Sequence, residues 1–187
     1  MDIGMTNRRE LLALGALGGM AFAVAAPPSI AAGAATAADL EANKRLIRGY
    51  IEEVFNKHQP EASDRFVAKD FIEHNPRLPH EGLAGTKKFL NIVFAAFSDY
   101  HGEIQNLVAE GDMVVSRTQW TGTNDGPYDG RPATGNKLVF STSDFFRIEN
   151  GKIAERWDVV ETLARSVALG LVPAPKPSAP TSPPKLP

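Results

Sequence analysis

Asp144-Phe145-Phe146-Arg147-Ile148-Glu149-Asn150-Gly151-Lys152-Ile153-Ala154-Glu155-Arg156-Trp157-Asp158 reads as a hairpin. Apolar and polar residues alternate on both sides of Glu149-Asn150-Gly151, and a period of two marks strands. Asn-Gly provides the positive φ angles that tight hairpin turns require. The stretch predicts strands over 137–149 and 152–160. Register then matters most, because a slip of one residue sends every side chain to the other face. With a two-residue Asn150-Gly151 turn, Glu149 opposes Lys152 and Asp144 opposes Trp157, so Asp158 lies on the other face from Asp144. With a three-residue loop and Gly151 left-handed, Ile148 opposes Lys152, Asp144 opposes Arg156 and Thr142 opposes Asp158. Both carboxylates and Arg156 then share a face, and this second register is the one expected.

Outward from the hairpin, the same period predicts strands over Tyr100–Ala109 and Met113–Thr123, joined by a turn at Glu110-Gly111-Asp112. The Gly- and Pro-rich stretch Asn124–Gly135 is a loop. Before Tyr100 the period is helical. Leu40, Ile47, Tyr50, Ile51, Val54 and Phe55 line one side of a helix over 39–58, with Asp39 as its N-cap. A short helix is expected over 61–68, a brief extended step at Phe71-Ile72, and a third helix over 82–98. A closing helix fits 162–169. Helices first and an antiparallel meander second predict an α+β fold. A long helix lying in a strongly curved sheet leaves a blind cavity, the kind of place that takes a small hydrophobic molecule.

The ends stand outside this domain, which is expected over 39–172. Asn7-Arg8-Arg9-Glu10-Leu11-Leu12 and the apolar stretch to Ala26 resemble a twin-arginine export signal, with cleavage after Ala31. The expectation is a signal peptide over 1–31, a linker over 32–38, handling by the twin-arginine export machinery, and a periplasmic or secreted product with no membrane attachment after processing. Residues 173–187 are rich in Pro and Ser and lack the apolar side chains that would offset their ordering entropy, so a disordered tail is expected. The formal net charge is -2, without a basic run, which argues against nucleic acid as a partner. The absence of cysteine excludes disulfides and thiolate chemistry. The four histidines show no metal-ligand spacing, so neither a metal nor a cofactor is expected.

Five segments in order carry a family resemblance. They are Asp70–Pro76 before Gly82-x-x-Gly85, Glu110–Val115, Thr121-Gly122-Thr123, Gly135-Asn136-Lys137, and Asp144–Asp158. Together they resemble the SnoaL-like polyketide cyclases of the nuclear transport factor 2-like superfamily, over about residues 40–170. The resemblance implies a cone-shaped, curved antiparallel sheet wrapped around N-terminal helices, the cystatin-like arrangement. It implies ring closure by intramolecular aldol condensation without a cofactor, and a homodimer formed through the outer sheet face. It places the acid/base aspartate at Asp158, a polar residue of the preceding strand at Asp144, where those cyclases carry His, and the Asn of the early loop at Asn75.

The residues support parts of that reading on their own. A carboxylate works as a base next to a carbonyl when its surroundings are apolar, and Trp157, Val159 and Val160 flank Asp158. Asp144, Asp158 and His74 are the candidate catalytic groups. His74 can shuttle protons near neutral pH, or it can be a hydrogen-bonded turn residue. Asn75 before Pro76 is held extended, which fixes its side-chain direction. Asn75, Trp120, Trp157 and Arg156 are the candidate substrate contacts, although either Trp can equally be core. Arg117 either points outward or pairs with a pocket acid. The function expected is acid/base chemistry on a small hydrophobic carbonyl compound, by aldol-type cyclisation or a related isomerase or dehydratase reaction. The rival is a non-catalytic periplasmic binder of such a molecule.

Overall fold

The computed structural model describes residues 35–173 and 175–176. The signal peptide expected over 1–31 and most of the expected tail lie outside the described residues. The first helix, α1 (Ala37–Tyr50), starts at a capping box. Thr36 Oγ1 accepts from the Asp39 N–H at 3.2 Å, and Asp39 Oδ2 accepts from the Thr36 N–H at 3.0 Å. Thr36 is therefore the N-cap, and Asp39 is the reciprocal partner three residues on rather than the cap itself.

Helical structure continues through Ile51–Asn56 as a π-helix, in which the Lys57 N–H reaches back five residues to Glu52 O at 3.1 Å. This widened turn ends with Asn56 clamped to the edge of the sheet. Its side chain donates to Gly102 O at 3.1 Å and accepts from the Gly102 N–H at 2.8 Å. A 3-10 turn (Pro60–Ala62) and the single turn α2 (Ser63–Phe66) follow, then β1 (Val67–Glu73), α3 (Gly82–Ala96), β2 (His101–Glu110), β3 (Met113–Thr123), β4 (Lys137–Glu149), β5 (Lys152–Val160) and α4 (Thr162–Ala168).

The sheet order is β1-β5-β4-β3-β2. The last four strands form the expected antiparallel meander. The segment expected as a brief step at Phe71-Ile72 is instead a full strand, running parallel to β5 at the sheet edge with Glu73 opposite Arg156. Its partner lies some eighty residues downstream, so local periodicity does not reveal it.

Along β3 and β4 every second residue is buried, and that face carries the core. Ile47, Val54, Leu90, Val114, Leu138 and Phe146 are all within 2% of complete burial. Burying each such side chain contributes roughly 1.5–3 kcal/mol. The helices close over this face of the curved, unclosed sheet.

The hairpin turn is the two-residue form, which corrects the expected loop. Glu149 opposes Lys152, and Asn150 and Gly151 have φ of 50° and 70°. The register then shifts. Ile148 opposes Ile153 but Arg147 opposes Glu155, leaving Ala154 as an extra residue in a β-bulge. Beyond the bulge Phe146 opposes Arg156 and Asp144 opposes Asp158. Arg156 and Asp158 consequently face inward with Asp144, by a bulge rather than by a longer loop.

Candidate active site

Three carboxylates converge on one guanidinium at the inner face of β1, β4 and β5. Arg156 donates from Nη1 to Glu73 Oε2 at 2.9 Å, from Nε and Nη2 to Asp144 Oδ1 at 3.0 and 2.6 Å, and from Nη2 to Asp158 Oδ2 at 3.0 Å. The four side chains are 4–20% exposed, so these are buried, charge-assisted bonds. Burial by itself would push the Arg156 guanidinium down, but Asp144, Glu73 and Asp158 outweigh it and hold Arg156 above the ordinary arginine value. Arg156 is thus a permanent cation.

Asn75 completes the arrangement. Its Nδ2 donates to Asp158 Oδ1 at 2.8 Å and Oδ2 at 3.1 Å. Its own position is set by its N–H, which donates to Glu73 Oε1 at 2.9 Å, and by its Oδ1, which accepts from the Arg77 N–H at 2.9 Å. Asp158 Oδ1 has no second donor among the described residues, so one lone pair stays available. Asp144 is more fully engaged. Both Arg156 donors occupy its Oδ1, and its Oδ2 accepts from Thr142 Oγ1 at 2.5 Å. Thr142 in turn accepts from Trp120 Nε1 at 2.9 Å. Asp144 is 3% exposed and does not reach the cavity wall.

Asp158, Asn75, Glu73, Arg156 and Thr142 form the polar end of a cavity whose other walls are mostly aromatic and aliphatic. Trp120 lies in the wall, stacked on Tyr100 at 5.2 Å and against Phe55 at 4.9 Å. Burial holds the phenols of both Tyr50 and Tyr100 well above the usual tyrosine range, so both are neutral hydrogen-bond donors at physiological pH. The inner cavity has a volume of about 90 Å³ and opens into a groove of about 710 Å³ that shares Asn75, Asp158, Tyr128 and Arg165 with it. A ring-sized ligand seated against Asp158 must therefore extend into the groove.

The structure brings Asp158, Asp144, Asn75, Arg156 and Trp120 together. It does not bring His74 and Trp157 into the inner cavity. Odd-numbered Trp157 faces outward on β5, and the His74 ring stacks on it at 4.3 Å with planes 6° apart. His74 Nε2 lies 2.8 Å from Glu155 Oε2. The pair borders only the outer groove. Arg117 is exposed on the outer face of β3. Glu73 was not singled out in the sequence. Its signal was the inward alternation Phe71, Glu73 beside outward Asp70 and Ile72, visible once β1 is known to be a strand. Among the described residues no group of His or acidic side chains is arranged to hold a metal ion. The acidic cluster instead surrounds a guanidinium.

An unclosed curved sheet over helices, with an acidic cluster on the wall of an apolar cavity, defines the chain as a nuclear transport factor 2-like cone. The family model for SnoaL-like polyketide cyclases matches residues 45–167, and the chain belongs to that family. Solved structures agree. TsrD from Streptomyces laurentii is 26% identical with a TM-score of 0.65, covering 71% of this chain and 97% of its own. A protein assigned as a polyketide cyclase from Acidithiobacillus ferrooxidans is 29% identical with a TM-score of 0.63, covering 70% and 95%. A SnoaL-like polyketide cyclase from Agrobacterium tumefaciens is 22% identical with a TM-score of 0.58, covering 68% and 98%, and shares the fold. No curated protein sequence matches the chain.

Proposed function

We propose that the protein is an exported, cofactor-independent enzyme acting on a small hydrophobic carbonyl compound, with Asp158 as its acid/base group. The observation that carries this is the free lone pair of Asp158 Oδ1 at the cavity wall, on a carboxylate oriented by Asn75 and Arg156. Geometry comes first in judging a general base, and this one is fixed before substrate arrives.

In the aldol-type reaction Asp158 takes a proton from the carbon beside a carbonyl. The enolate carbon attacks a second carbonyl of the same molecule, and the proton returns from Asp158 to the new alkoxide. The same first step serves an isomerase, with the proton returned elsewhere. Asp144 acts through Arg156 as a positioning residue, since it is buried behind the guanidinium. Asn75 and Arg156 hold Asp158, while Trp120 forms apolar wall. His74 and Trp157 sit at the outer groove and are left out of the proton-transfer step. Export is supported by Arg8-Arg9 and the apolar stretch behind them. A homodimer through the outer sheet face is supported by Phe145, Trp157 and Val159, which lie exposed near one another on β4 and β5.

The test is deuterium exchange at the α-carbon of a panel of hydrophobic ketones and 1,3-dicarbonyls, followed by NMR in heavy water. The wild-type chain should catalyse exchange of its ligand. Asp158→Asn should lower that rate by about 10²–10⁴-fold while keeping affinity within a few-fold. Ligand binding without exchange, unchanged by Asp158→Asn, would instead make the protein a binder.

A further inference from the structure

Two arginines line the inner cavity, and they are in opposite situations. Arg156 is saturated by three carboxylates. Arg165, on α4, lines both the inner cavity and the outer groove, is half-buried, and has no side-chain hydrogen bond or ion pair among the described residues. Its charge reaches inward, because it opposes the upward push of burial on the Tyr100 phenol. A guanidinium at a cavity wall without an acidic partner leaves its planar set of donors open to an acidic group of a ligand. Glu73 and Arg156 line the inner cavity alone, whereas Asp158 and Arg165 both line the inner cavity and the groove, so an unpaired fork of donors stands where the two meet.

Resting on the acid/base reading of Asp158, we propose that Arg165 is the anion-recognition residue of this site, and that the ligand carries a carboxylate or an equivalent acidic oxygen group. The planar fork of Arg165 pairs with that group bidentately. Pairing at Arg165 seats the acidic group at the junction of cavity and groove and leaves the neutral carbonyl-bearing part of the ligand for Asp158. Asp129 and Arg77 stand on the outer groove only and are exposed, so water screens them more strongly than Arg165.

Calorimetric titration of the full chain with 2-naphthoate and with 2-naphthamide, a neutral analogue of nearly equal shape, tests this. The wild-type chain is expected to bind the carboxylate at least about tenfold more tightly than the amide, with the preference shrinking as salt rises. Arg165→Gln should abolish the preference while leaving the amide affinity unchanged, which also shows that the variant cavity is intact. Arg117→Gln, which removes an equal charge from the outer sheet face, should keep the preference. Equal binding of both probes to the wild-type chain, or a preference that survives Arg165→Gln, overturns the role of Arg165 and leaves the reading of Asp158 standing. Binding of neither probe likewise overturns the role of Arg165, whereas the reading of Asp158 falls only if α-carbon exchange is absent or unchanged by Asp158→Asn.

Discussion

Asp144 and Asp158 stand directly opposite each other on β4 and β5, although the turn joining those strands would place them on opposite faces. A regular ladder from the Glu149–Lys152 closure puts Trp157 opposite Asp144. The single extra residue at Ala154 absorbs the difference. Without the bulge, Arg156 and Asp158 would point outward, and the acidic cluster would not exist.

The first expectation follows from that count. Deleting Ala154 leaves a regular ladder in which Arg156 and Asp158 still face inward, so cavity-ligand binding should survive at a cost of about 1–3 kcal/mol. Inserting one alanine between Glu155 and Arg156 turns both inward residues out and should abolish binding. Calorimetry and urea denaturation of the two variants check this. Binding retained by the insertion and lost in the deletion would contradict the bulge account.

Arg156 is expected to matter more to stability than a surface ion pair. Arg156→Met leaves Glu73, Asp144 and Asp158 buried beside one another without a cation, which should cost about 3–5 kcal/mol. Adding Asp144→Asn to that variant removes one of the stranded charges and should recover part of the loss. Urea midpoints of the single and double variants measure the coupling.

Gly102 sets the shape of the cavity wall. A Cβ at this position would meet the six-membered ring of Trp120 at 2.5 Å, so the indole would have to move. Gly102→Ala should therefore cost about 1–3 kcal/mol and weaken binding of a cavity ligand by displacing Trp120. A thermal shift together with a ligand titration would show it. No change in either would mean that the ring has room the structure does not show.

Alkaline pH should destabilise the fold through Tyr50 and Tyr100. Burial is the main cause that raises both phenols, with Asp144 adding to it in each case. A folded value above the unfolded value of 10.0 means that the neutral phenols contribute stability fully below that pH. The contribution is lost as pH rises further, because the unfolded chain ionises first. Absorbance at 295 nm should show the phenolates of these two residues appearing together with unfolding. Tyr50→Phe should flatten the alkaline limb of stability. An unchanged limb in Tyr50→Phe and Tyr100→Phe would exclude this linkage.

Much of the fold was written locally. The period-two runs at 113–123, 137–149 and 152–160 and the helical runs before residue 100 lie within a residue or two of the observed elements over most of their length. These signals survive because strands β2 to β5 each pair with a sequence neighbour, and because one buried face repeats every two residues. The family resemblance points to Asp158 and Asn75, whereas Arg156 joins their face in the sequence reading only through a three-residue loop that the structure replaces with a two-residue turn and a bulge.

The order and type of the elements, the family and the strand that bears Asp158 are therefore legible in the residue pattern alone. Tertiary structure alone decided which side chains meet. The bulge inserts the buried Ala154 between Ile153, which packs in the core, and Glu155, a register shift that no turn residue announces. The role of Glu73 depends on a parallel pairing between β1 and β5, far apart in the chain. His74, next to Asn75 in sequence, leaves the inner cavity because adjacent residues of extended chain point to opposite faces. Contacts across such distances are chosen by the burial of the whole core, so local patterns can name the candidates but cannot seat them.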